Sequence, residues 1–358
     1  MRFRATVVPV SSGNGELRSM TIYRPLSSAL LSLDIRLANV GLRFTKERGT
    51  LLIFLFHSLF EDKKEAQSGV MDPQQGVTVE MFKTFVTHFH ANGYRFVSPE
   101  EISKSLAEDR KYALLTFDDG YKNNVRALPI LEKFEAPAVF FISSGHVKTG
   151  RSFWWDVLHR EGKRRGCTDA EINRMIAGCK AHRTEDVEFL LKKEFGENAL
   201  WPVGDLDRPF TPSELRAFAK HRLVFLGNHT RDHAILPNYS ESEIGMQICQ
   251  AQNDILEMTG RTPEMIAYPN GSESVMIRKS AEEAGLRLGV GIRPGHNRLP
   301  VDSDSRDRMS LKRFTLRGDR GIEQQCRSSR SSFSIHRLLQ DARRISARQP
   351  FDFSASVK

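Results

Sequence analysis

Apolar runs of four to six residues recur along the chain, and segments with helical spacing separate them. Leu51-Leu52-Ile53-Phe54-Leu55-Phe56 is a continuous apolar run ending in His57, as expected of a strand buried on both faces. Thr78 then precedes Phe82, Phe85, Val86 and Phe89 at helical spacing, with Asn92-Gly93 as the stop; a capping threonine and a terminal glycine bound such a helix. Residues 94–97 read as a short strand, and Ser98-Pro99-Glu100-Glu101 as the cap and first turn of another helix. Strands are expected over 112–117, 138–142, 223–226, 265–268 and 286–290, and a helix over 123–134. Seven strands alternating with helices predict an α/β chain, a single domain whose parallel sheet closes into a distorted (β/α)7-type barrel.

From about residue 148 to 221 this rhythm gives way to charged helical segments, read as a helical insertion over one barrel loop. Its Phe153-Trp154-Trp155 cluster fits the insertion's own core better than a wall that stacks on sugar rings. From Arg327 the chain is rich in serine and arginine, and then carries Ile335, Leu338, Leu339, Ala342 and Ile345 at helical spacing with Arg337, Arg343 and Arg344 between them. A helix docked on its own domain is the first reading, and a basic amphipathic helix on a membrane surface the second. The expected organisation is an N-terminal extension over 1–49 with a mildly amphipathic segment at 30–42, a barrel over 50–316, and a basic, partly disordered tail over 317–358.

Composition narrows the class. In 358 residues, 39% are hydrophobic and 27% charged, ordinary values for a globular protein with material for a core. The net charge of +9 would suit a polyanion. Its excess is scattered and heaviest near the C-terminus, and the motif segments do not interleave bases with aromatics, so nucleic-acid binding is not expected. Cys167, Cys179, Cys249 and Cys326 show no metal-like or paired spacing and read as free thiols of a reducing compartment. No run of about 18 apolar residues exists to span a membrane, and residues 1–20 are too polar for a secretory signal. A cytoplasmic location, or one peripheral to the cytoplasmic membrane face, is expected, with Met1 or Met20 as the start.

The chemistry centres on Thr116-Phe117-Asp118-Asp119-Gly120-Tyr121, two adjacent acids where an apolar run ends and the chain turns. Like charges on neighbouring residues repel unless a cation or proton separates them, and strand ends are where α/β folds assemble their sites. Asn228-His229-Thr230-Arg231-Asp232-His233 follows another apolar run, with Gly227 as the breaker. If this segment forms one helical turn, both imidazoles reach one ion.

Together with Ala267-Tyr268-Pro269-Asn270-Gly271, these segments resemble the first three motifs of the polysaccharide deacetylase family, also called carbohydrate esterase family four or the nodulation-protein-B homology domain. The resemblance covers roughly residues 51–314. It implies a distorted barrel, one divalent metal ion with zinc the best match, and hydrolysis of N-acetyl groups on amino sugars. By position it implies Asp119, His229 and His233 as metal ligands and Asp118 as general base. A backbone N–H near Asn270 would face the oxyanion, and Tyr121, Tyr268, Pro269, Asn270 and Arg313 would bind substrate or orient Asp118. No late strand ends in histidine, so the general acid falls to His57, which resembles the strand-terminal histidine of the permuted-motif branch; His296 matches no acid motif. Ala267 and Tyr268 stand where much of the family has an arginine before the proline, which weakens the substrate assignment. The expected partner is an N-acetylated glycan. A catalytically silent glycan-binding module and an amidohydrolase acting on a non-sugar amide are the alternatives.

Overall fold

The computed structural model describes residues 40–42, 44–301 and 305–331. The helix expected at 335–345, and all but the end of the segment at 30–42, lie outside these residues. Seven strands follow the apolar runs: β1 (Thr50–Phe56), β2 (Tyr94–Phe96), β3 (Lys111–Phe117), β4 (Ala138–Ile142), β5 (Val224–Asn228), β6 (Met265–Ala267) and β7 (Leu288–Val290). Two more, β8 (Asn297–Arg298) and β9 (Phe314–Thr315), are too short and too mixed in polarity to announce themselves by periodicity.

The strands form one curled, mainly parallel sheet in the order β7-β6-β5-β4-β3-β1-β8, with β2 beside β3 and β9 beside β1. β1 and β3 run in parallel register from Thr50↔Lys111 to Phe56↔Phe117. The other edge of β3 is shared between β2 and β4. The curled sheet is the expected (β/α)7-type barrel, with a gap between β7 and β1. The chain from Leu311 to Thr315 fills that gap: Leu311 bridges Val290 on β7, while Phe314 and Thr315 pair with Phe54 and Leu55 on β1. Arg313 is thereby drawn inside.

Both faces of the sheet are covered, which is why its strands read as unbroken apolar runs. Phe54 and Phe56 pack on Phe82, Phe85 and Phe89 of the Val79–Ala91 helix, and Phe117 stacks on Phe140 with centroids 4.8 Å apart. Each such burial contributes about 1.5–3 kcal/mol. The insertion has its own core, in which Phe153, Trp154 and Trp155 are all buried with Tyr121, Ile172 and Leu191. Among the described residues, no helix is long and apolar enough to cross a membrane.

Glu47, just before β1, ties the bottom of the sheet together. It accepts from Tyr94 on β2 (2.8 Å), Lys111 on β3 (2.8 Å) and Arg330 at the end of the Ile322–Arg330 helix (2.6 Å). Burial opposes its ionisation, yet these donors hold its pKa at about 2, against 4.5 for an ordinary glutamate. A depressed folded-state pKa contributes stability that is complete above the unfolded value and is lost as pH falls through the folded one. Glu47→Gln should therefore flatten the loss of melting temperature between about pH 4.5 and 2, measured by scanning calorimetry at several pH values; an unchanged acid limb would show that the hub carries no such linkage.

Candidate active site

The site is built at the C-terminal ends of β1, β3, β5 and β6. The ladder continues one residue past β3, Asp118 N–H donating to Phe56 C=O at 2.9 Å. Asp119 and Gly120 then both take left-handed backbone conformations (φ 78° and 89°) and turn the chain away. Gly120 is required there twice over, because a Cβ would also lie 3.1 Å from Ile142 Cδ1. The following segment breaks an expectation: Gly227 does not end its strand, which runs to Asn228, and His229 to His233 is an irregular loop rather than a helical turn. Thr230 (φ 61°) and His233 (φ 49°) are left-handed, so the loop doubles back and still brings both imidazoles to one side. Gln74 and Asn270 are also at positive φ, and with Asp119 and His233 four such non-glycine residues line one cleft, the clustering of backbone strain found at functional sites.

Asp119 Oδ1 lies 3.4 Å from His229 Nε2 and 3.4 Å from His233 Nε2, and the three ligand atoms fall within 4.8 Å of one another. Asp119 Oδ1 is buried without a hydrogen-bond partner, an orphan that a cation would satisfy. Asp119 Oδ2 accepts from Gln74 Nε2 at 3.3 Å. His229 Nδ1 is bonded to the Ala267 carbonyl at 2.7 Å, which fixes the tautomer that presents Nε2. Burial would lower the His229 pKa, but Asp118 and Asp119 raise it, whereas burial and the neighbouring His229 bring His233 down to about 3. His233 is thus kept neutral with its lone pair free, and two imidazole nitrogens beside an unpartnered carboxylate oxygen make a donor set that fits a divalent ion.

Asp118 stands beside this set without joining it. Its two oxygens accept from Arg313 Nη1 (2.7 Å) and Nη2 (2.9 Å), and its Oδ2 is 4.0 Å from His229 Nε2. Arg313 is itself fully buried and also donates to Thr116 Oγ1 and Gly291 C=O. Burial would raise the Asp118 pKa; the Arg313 and His229 charges overcome it and hold the carboxyl below its usual range. The group stays ionised.

His57 follows β1 directly, beside Asp118 in the β1–β3 register, and lines the same cleft of about 670 Å³; its Nδ1 is buried without a partner. Tyr268 and Asn270 also line the cleft, and Pro269 is buried between them. Tyr121 and Arg313 do not line it. Tyr121 is fully buried, its hydroxyl bonded to Asp156 (2.7 Å) and to Trp155 Nε1 (2.9 Å). Trp155 in turn packs edge-on against His233 with centroids 4.5 Å apart, so the insertion core buttresses a candidate ligand. His296 is bonded to the Ser329 carbonyl at 2.8 Å and does not itself line the cleft. Sequence reading singled out Trp155 only within the Phe153-Trp154-Trp155 cluster, of which Trp154 and Trp155 line the cleft, and it missed Gln74 and Lys180, whose Nζ donates to Asn270 Oδ1; neither of these sits in a motif or at a periodic position.

The sequence profile of the polysaccharide deacetylase family matches residues 105–289, just over half of the chain. YxkH of Bacillus subtilis, provisionally named a polysaccharide deacetylase, is 24% identical over 219 residues, and the match spans 60% of this chain and 58% of that relative's length. Solved structures share the fold: IcaB from Ammonifex degensii (TM-score 0.53, 17% identity, covering 79% of this chain and 98% of that one) and the deacetylase PplD of Streptococcus pyogenes (0.50, 18%, 82% and 98%). A polysaccharide deacetylase from Bacillus cereus superposes similarly (0.53, 16%, 79% and 69%). The motif order, the half-barrel and the profile match agree: the chain belongs to the polysaccharide deacetylase family.

Proposed function

We propose that this chain is a metal-dependent hydrolase that removes N-acetyl groups from amino-sugar residues of an oligo- or polysaccharide. Asp119, His229 and His233 are its ligands, and zinc is the best match to two imidazoles and one carboxylate. The observation that carries the reading is the convergence of these three groups beside an ionised acid that arginine keeps out of the ligand set. When bound, the ion supplies a Lewis acid that polarises the amide carbonyl and lowers the pKa of water from 15.7 toward about 7.

The chain's own residues do the rest. Asp118, aimed by Arg313, takes the proton that the attacking water loses. The backbone beside Asn270 donates to the developing oxyanion. His57 protonates the departing amine, because an amide nitrogen anion is too poor a leaving group to depart alone. Tyr268, Pro269 and Asn270 wall the sugar site, whereas Tyr121 and Arg313 act through Trp155 and Asp118. A silent glycan-binding module would not need the intact acid and imidazole set.

Acetate release from N-acetylglucosamine oligomers, abolished by chelation and restored by metal, tests the reading; no release from any length would overturn it. His57→Gln should slow amide hydrolysis by roughly 10²–10⁴-fold while sparing p-nitrophenyl acetate, whose leaving group needs no proton. Equal losses on both substrates would remove His57 from the acid role.

A further inference from the structure

The insertion brings one cation to the rim of the cleft that the deacetylation chemistry does not use. Lys180 caps the C-terminal end of the Asp169–Cys179 helix and lines the same cleft as Asp118, Asp119 and His233. A lysine at a helix end ordinarily reaches into solvent or pairs with an acid. Here the half-buried side chain turns to the loop after β6, where Nζ donates to Asn270 Oδ1 at 3.1 Å. Among the described residues it forms no ion pair. Burial lowers its pKa, and the charge of Asp72 in the same cleft raises it in part. A cation partly removed from water and bonded to a neutral amide is incompletely compensated.

The rest of the cleft supplies no acid in ion-pair contact with Lys180 among the described residues. Asp118 is matched by Arg313, and Asp119 faces the two imidazoles where a dication fits. Of the carboxylates lining the cleft, only Asp72 remains, against Lys180, Arg317 and Arg320; Asp319 pairs with Arg317 at 3.1 Å and lies 4.0 Å from Arg320. Ile176, Ile235 and Ile292 line the same cleft, and low-dielectric walls of this kind strengthen the field of a nearby charge.

We infer that Lys180 reads a fixed negative charge on the substrate, a phosphate or carboxylate borne close to the N-acetylated sugar, so that the substrate class is an anionic glycan. This rests on the deacetylase reading for the identity of the sugar, but the anion site can be tested without turnover. Calorimetric titration of the metal-loaded protein would compare N-acetylglucosamine with its 1-phosphate and with a glucuronate-linked N-acetylglucosamine disaccharide. At least one anionic sugar should bind about 10-fold to 100-fold more tightly than the neutral one, and which one does so distinguishes phosphate from carboxylate. Lys180→Met should erase that preference while leaving neutral-sugar affinity within about twofold, and Lys180→Arg should restore it. Equal binding of all three sugars by the parent protein, or parallel losses for neutral and anionic sugars in Lys180→Met, would overturn the inference. Acetate release by the parent is scored separately: its absence on every glycan would sink the deacetylase reading and leave the anion preference standing.

Discussion

Asp118→Asn protein is expected to bind its divalent ion as tightly as the parent and to release acetate roughly 10²–10⁴-fold more slowly. The separation of the two effects follows from geometry. Both Asp118 oxygens are occupied by Arg313, and the orphaned oxygen that points between the imidazoles belongs to Asp119. Asparagine keeps the shape and one acceptor for the guanidinium but cannot take up a proton at neutral pH. Metal titration and initial rates on the same preparation check both halves. Loss of metal together with turnover would place Asp118 among the ligands, and parental rates would remove it from catalysis.

Arg313→Met should cost about 3–5 kcal/mol of folding stability, because it leaves the Asp118 carboxylate buried and unpaired. Arg313 also satisfies Thr116 and Gly291, so part of the loss comes from those contacts. Denaturant unfolding of Arg313→Met, Asp118→Asn and the double variant separates the terms. Neutralising Asp118 in the Arg313→Met background should recover a substantial part of the stability, since the stranded charge is gone. Strictly additive losses would mean that the two side chains are not coupled, contrary to their two-pronged contact.

Most of the sheet was legible because strands buried on both faces must be apolar throughout, as residues 51–56 and 138–142 are. The acids and histidines were legible because each group follows such a run directly. What escaped has a common cause. The closing segment from Leu311 to Thr315 pairs through only a few backbone bonds, too few to require a strand-like pattern, yet it places Arg313 against Asp118 from 195 residues away. The loop from His229 to His233 depends on left-handed residues that are not glycine, held by bonds such as Ala234 N–H to Thr230 Oγ1 and Thr230 N–H to Asn228 Oδ1. No local propensity announces them. Gln74 and Lys180 reach the site from the chain before β2 and from the insertion, so only the tertiary fold reveals them. Tyr121 shows the converse: it closes the motif in sequence but is committed to Asp156 and Trp155.

Metal content tests the central claim most directly. Protein purified without chelator, and reloaded after stripping, should hold one divalent ion per chain by inductively coupled plasma mass spectrometry, and His229→Ala should hold essentially none while remaining folded by circular dichroism. Parental protein that takes up no divalent ion, or His229→Ala protein that retains it in full, would contradict the assignment of Asp119, His229 and His233 as the metal centre.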